Sequence, residues 1–86
     1  MISILKFGAE WCGPCAKQEP ILDQLQLDVP ELNIQRIDID EAPDLAAKYK
    51  IRTLPTILIL QDDIEVNRLV GLTDLITIKQ RIYEQN

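Results

Sequence analysis

The most reactive side chains in this 86-residue chain are two cysteines, Cys12 and Cys15, separated by Gly13 and Pro14. The chain has no histidine. Two thiols without an imidazole fall short of the four ligands, or three plus water, that a zinc site takes. A purely structural disulfide across so short a loop would restrict the unfolded chain only slightly. A Cys-x-x-Cys pair beside a β-α-β pattern instead suits thiol–disulfide exchange. The attacking species is the thiolate. A cysteine at the start of a helix meets free backbone N–H groups and the positive end of the helix dipole, and both favour an anion. Cys12 is therefore the expected nucleophile. Cys15, one turn further on, is the expected resolving thiol and the more buried of the two. Cys12 attacks a partner's disulfide to form a mixed disulfide, and Cys15 then attacks that bond from within the molecule, where proximity accelerates it. The products are a reduced partner and a Cys12–Cys15 disulfide, and the direction follows the relative potentials.

The elements that must position this pair can be read along the chain. Ile2 to Phe7 is apolar apart from Lys6 and reads as a central strand covered on both faces. A loop through Cys12 leads to a helix beginning around Pro14, a residue suited to a first turn. Ile21, Leu22, Leu25 and Val29 recur there at helical spacing, and Pro20 interrupts the hydrogen-bond ladder. Ile34 to Asp38 reads as a second strand. A short helix follows, with Pro43 near its start. Pro55 to Leu60 is a third strand, Gln61 to Asp63 a turn, and Ile64 to Val70 a fourth strand ended by Gly71. A last helix has Thr73 as its expected N-cap, Asp74 in its first turn, and Leu72, Leu75, Ile76, Lys79, Ile82 and Tyr83 as its inner stripe. The order β-α-β-α-β-β-α predicts an α/β fold. Residues 1–86 form one domain, a four-stranded mixed sheet with three helices on both faces, its first β-α-β unit parallel.

These segments resemble known ones. "FGAEWCGPCAKQEPIL" is similar to the active-site segment of the thioredoxin family, with Trp11 to Cys15 as the strongest match and Pro20 at that family's helix proline. "YKIRTLPTILIL" resembles a second family segment, whose cis proline facing the thiols would here be Pro55. Gly71 matches a position lining the substrate groove. The resemblance covers nearly the whole chain. It implies a thioredoxin fold and a protein-disulfide reductase with no bound cofactor beyond its redox-active disulfide. It also implies a docking groove shaped by Trp11, Gly13, Pro14, Leu54, Pro55 and Gly71. Two departures stand out. The chain starts at the strand that feeds the active site, without the β-α unit that precedes it in ordinary thioredoxins. Lys6 stands where the family has a buried aspartate six residues before the first cysteine, and Arg36 stands where a lysine usually accompanies it. Lys6 is expected beneath the thiols, favouring thiolate if charged or acting as a base if neutral, with Glu10 or Asp38 as its acidic neighbour. The alternative is a lysine that only extends its stem to the surface.

Composition narrows the partners. A net charge of −5 argues against sequence-independent nucleic-acid binding and against anionic membranes. The first residues lack a basic region, an apolar run and a cleavage site, so no signal peptide is expected. The expectation is a cytoplasmic monomer, recycled by a thioredoxin-reductase-type flavoenzyme. Two other readings stay open. One is a glutaredoxin-like enzyme coupled to glutathione, with Lys50 and Arg52 meeting its carboxylates. The other is a non-catalytic binding subunit of a larger enzyme.

Overall fold

The computed structural model describes residues 1–85. Its elements are β1 (Ile2–Gly8), α1 (Gly13–Asp28), β2 (Asn33–Asp38), α2 (Pro43–Lys48), β3 (Thr56–Gln61), β4 (Ile64–Val70) and α3 (Leu75–Tyr83). The four strands form one sheet in the order β2-β1-β3-β4. β2 runs parallel to β1, whereas β3 is antiparallel to both β1 and β4. The expected element order and mixed sheet are therefore present.

The period of two along β1 divides the core. Ile4 faces one side with Leu22 and Leu25 of α1, Ile57 and Ile59 of β3, and Ile78 and Ile82 of α3. Leu5 and Phe7 face the other side with Leu58 and Leu60, under Ile37, Tyr49 and Ile51. Alternation therefore puts Lys6 on the same face as Ile4, beneath α1. Its register partner on β2 is Arg36. The β3–β4 turn holds Asp62 at φ 51° and Asp63 at φ 69°. Two consecutive left-handed residues suit a two-residue hairpin.

α3 differs from its expected form. Its N-cap is Asp74, whose carboxylate accepts from the Thr77 N–H at 2.8 Å. Thr73 is engaged elsewhere, because its hydroxyl donates to the Gly71 carbonyl and its backbone N–H to Gln18. The buried stripe consists of Ile78 and Ile82, with Leu75 packed against it. Ile76 and Tyr83 are seven residues apart on one exposed face, and Leu72 precedes the helix and is exposed. Lys79 is partly buried because it reaches Asp28 of α1 at 2.6 Å.

Candidate active site

α1 begins immediately after Cys12, which is its N-cap residue. The Cys15 backbone N–H donates to Cys12 Sγ at 3.2 Å. The first turn of the helix thus directs a donor at the first sulfur, as a helix N-terminus does for an anion. Cys12 and Cys15 are joined as a disulfide, with their Cα atoms 5.3 Å apart. Cys15 is 2% exposed and Cys12 8%, so the second thiol is the deeper one.

One side of the pair is an open, mostly apolar groove. Trp11, Cys12, Gly13, Pro14, Ile39, Ile51, Arg52 and Leu54 line it. Trp11 is 70% exposed. Its indole Nε1–H donates to Asp40 Oδ2 at 2.9 Å, which fixes an otherwise free ring. Four of the six expected groove residues therefore meet here with Cys12. Pro55 lies underneath, its side chain fully buried, after a cis Leu54–Pro55 bond. Gly71 is linked to it, since its N–H donates to the Pro55 carbonyl at 2.8 Å. At φ +85°, position 71 suits glycine.

The other side is a charged cleft of about 300 Å³, which Lys6, Glu10, Cys15, Glu19, Arg36 and Asp38 help to line. Lys6 is 7% exposed and does not extend to the surface. Its Nζ donates to Glu19 Oε2 at 2.7 Å. The expected acidic neighbours, Glu10 and Asp38, border the cleft, but the hydrogen-bonded partner is Glu19. The reason is geometric: Glu19 lies four residues after Cys15, on the same face of α1, directly over β1. Glu19 Oε1 accepts from Arg36 Nε at 2.6 Å, and Arg36 Nη2 donates to Asp23 at 3.0 Å. One carboxylate thus bridges the two neighbouring cations that β1 and β2 place side by side. Burial pushes the Glu19 carboxyl up, but hydrogen bonds and charge from Lys6 and Arg36 outweigh this and hold it below its usual 4.5.

Lys6 and Cys15 approach each other through a gap left by Gly8. A Cβ on Gly8 would meet Lys6 Nζ at 3.0 Å and Cys15 Sγ at 3.3 Å. The ammonium and the second sulfur therefore flank one empty methyl position. Sequence reasoning missed Glu19, Asp40, Ile39 and Ile51. Of these, Glu19 had a usable signal in its spacing of four from Cys15.

The thioredoxin family model matches residues 1–84. A thioredoxin from Chlamydia trachomatis is 41% identical over 71 residues, covering 83% of this chain and 70% of that protein. A thioredoxin from Staphylococcus aureus is 37% identical over 71 residues, covering 81% of this chain and 68% of that one. Among solved structures, Fasciola hepatica thioredoxin superposes with a TM-score of 0.90 at 29% identity, covering 99% of this chain and 81% of its own. Thioredoxin NaTrxh from Nicotiana alata gives 0.90 at 30% identity, covering 96% and 71%. With this coverage and the dithiol at the head of α1, the chain belongs to the thioredoxin family and is a thiol–disulfide oxidoreductase.

Proposed function

We propose that this chain reduces protein disulfides as a single-domain, cytoplasmic monomer, with Cys12 as nucleophile and Cys15 as resolving thiol. The observation that carries these roles is the asymmetry of the pair. Cys12 caps α1, receives a backbone N–H and borders the groove, whereas Cys15 is withdrawn beneath it. Cys12 thiolate attacks a substrate sulfur, and the other substrate sulfur leaves as thiolate and takes a proton. Cys15 then loses its proton and attacks Cys12 Sγ, releasing the second substrate sulfur. Two electrons pass to the substrate, and the Cys12–Cys15 bond forms.

Docking falls to the groove. Trp11 offers a fixed aromatic surface, Gly13 and Pro14 keep the approach to Cys12 low, and Leu54 lines the groove, supported by the buried Pro55 to which Gly71 is tied. Lys6 acts in the second step. Its ammonium, held by Glu19, faces Cys15 across the Gly8 gap and stabilises the resolving thiolate. Charge pairing with Glu19 favours this role over that of a neutral base.

The regenerating partner in this reading is a thioredoxin-reductase-type flavoenzyme. Arg52 at the groove is the feature that favours the second reading, in which glutathione supplies electrons. Reduction of a protein disulfide driven by NADPH with thioredoxin reductase, set against glutathione with its own reductase, separates the two. Turnover with the first alone is expected. Turnover with the second alone would make the chain glutaredoxin-like, and activity with neither would leave a dedicated reductase or a binding role.

A further inference from the structure

Gln18 is a polar residue at an inward position of α1, and it is fully buried. Its Nε2 donates to the Thr73 carbonyl at 2.9 Å, and its Oε1 accepts from the Thr73 N–H at 2.9 Å. One side-chain amide thus satisfies both backbone groups of one residue, as a neighbouring strand residue would. Thr73 needs such a partner because the chain has left β4 at Val70 and has not yet entered α3. The same short stretch is held at two further points. Gly71 N–H donates to the Pro55 carbonyl, and the Thr73 hydroxyl donates to the Gly71 carbonyl. Between these ties Leu72 is left exposed.

The other end of the contact lies one turn below Cys15. Pro20, two residues further along, has no N–H to give to the turn before it, so α1 lacks an internal hydrogen bond in this region. Gln18 fastens the helix to the loop where the helix's own ladder is incomplete.

We propose that Gln18 is a positioning residue for docking. It locks the Gly71–Thr73 rim to the helix that carries the thiols, and so sets the height of that rim relative to Cys12 when a protein disulfide docks. The proposal rests on the reading that protein disulfides bind across the groove and continue onto Gly71. A small disulfide that reaches Cys12 without touching the rim does not need the lock. The chemistry of the contact also dictates what can replace it. Leucine fills the space and leaves both Thr73 groups without a partner. Glutamate keeps the shape, but its carboxylate cannot donate to the Thr73 carbonyl. A protonated glutamate carries one donor and one acceptor, as the amide does. The charged residue next to Thr73 is Asp74, occupied in capping α3. Burial and that neighbouring carboxylate both favour the protonated form.

The test uses pre-reduced protein with excess reductant removed. It is mixed either with scrambled ribonuclease, a protein carrying accessible disulfides, or with 5,5′-dithiobis(2-nitrobenzoate), a small aryl disulfide. Loss of the dithiol is followed by acid quench, alkylation and mass. The ratio of the two rates cancels changes in thiolate reactivity. In Gln18→Leu the ratio is expected to fall by about fivefold to tenfold, the loss of two hydrogen bonds. In Gln18→Glu it should fall similarly at about pH 9 and recover towards the wild-type ratio as the pH is lowered to about 6. Should the leucine variant fail to fold, the glutamate variant carries the test alone through its pH dependence. A wild-type ratio in folded variants at every pH would overturn the lock, as would a parallel fall of both rates. Wild-type protein inert towards ribonuclease but active on the aryl disulfide would overturn the docking reading and the lock with it.

Discussion

On one side of the Cys12–Cys15 pair the walls are Trp11, Ile39, Ile51 and Leu54; on the other they are Lys6, Glu19, Arg36 and Asp38. The first side exposes its largest ring and is lined by one charged side chain, Arg52. The second withdraws its lysine and ties it to a carboxylate. In the proposed mechanism the difference follows the order of the reaction. A partner must be bound by apolar contact before Cys12 attacks, whereas Cys15 must be deprotonated after the partner is in place. A groove with apolar walls serves the first need, and a cation across the Gly8 gap from the sulfur serves the second. Cys12 borders both sides and Asp38 adjoins Ile39, but Lys6 and Glu19 come from β1 and α1 while Trp11, Ile51 and Leu54 come from loops, so each set is open to separate change. Four expectations probe that separation.

The largest effect strikes both sides at once. Cys12→Ser should reduce disulfide turnover to background, whereas Cys15→Ser should still attack and then accumulate a mixed disulfide, visible as a covalent adduct by mass under non-reducing conditions. Next in size is the groove alone. Trp11→Ala should raise KM for a protein disulfide about tenfold, the equivalent of about 1.4 kcal/mol, while the pH dependence of the rate keeps its shape. A shifted pH profile in that variant would show that the two sides are coupled.

The cleft gives the converse expectation. Lys6→Met should move the pH profile of mixed-disulfide resolution to higher pH by about one unit, with KM unchanged, because the cation that favours thiolate is gone. A profile superimposable on the wild type would remove Lys6 from the mechanism. The smallest effect is on stability. Glu19 is held below its usual 4.5, so the stability it contributes is complete above about that pH and is lost as pH falls through the depressed value. Between about pH 5 and about pH 3, Glu19→Gln should lose less stability than the wild type. The difference should be about 0.5 kcal/mol, kept small by solvent screening of a carboxylate that is 36% exposed. Urea unfolding at the two pH values measures it.

Much of this arrangement was legible in the sequence, and particular residues show where legibility stopped. The thiol pair and the order of elements follow from spacing and strand alternation, whereas the place of Lys6 beneath the thiols was implied by the family resemblance. Its partner was not, because Glu10 and Asp38 stand near the strand ends while Glu19 reaches the lysine through helical phase. Gln18 occupies an inward position between Cys15 and Leu22, and its polarity there was an unread sign of a buried amide with a partner. The start of α3 was misplaced by one residue. Thr73 is a good capping residue, but its backbone is claimed by Gln18, 55 positions away in the chain, and local sequence carries no trace of such a contact. Of the expected inner stripe of α3, Leu75 and Ile82 face the core together with Ile78, whereas Leu72, Ile76 and Tyr83 are exposed.

Gly8 bears on how such a site can be altered. The interval between the Lys6 ammonium and the Cys15 sulfur is kept open by an absent side chain. Adding one methyl group there would press against the free end of a flexible lysine and against a sulfur fixed in the helix, and the lysine would yield. If Lys6 acts on Cys15 as proposed, the strength of the field there is set by backbone volume as well as by charge. A redesign that retained every ionisable residue could still retune the resolving thiol through this one uncharged position.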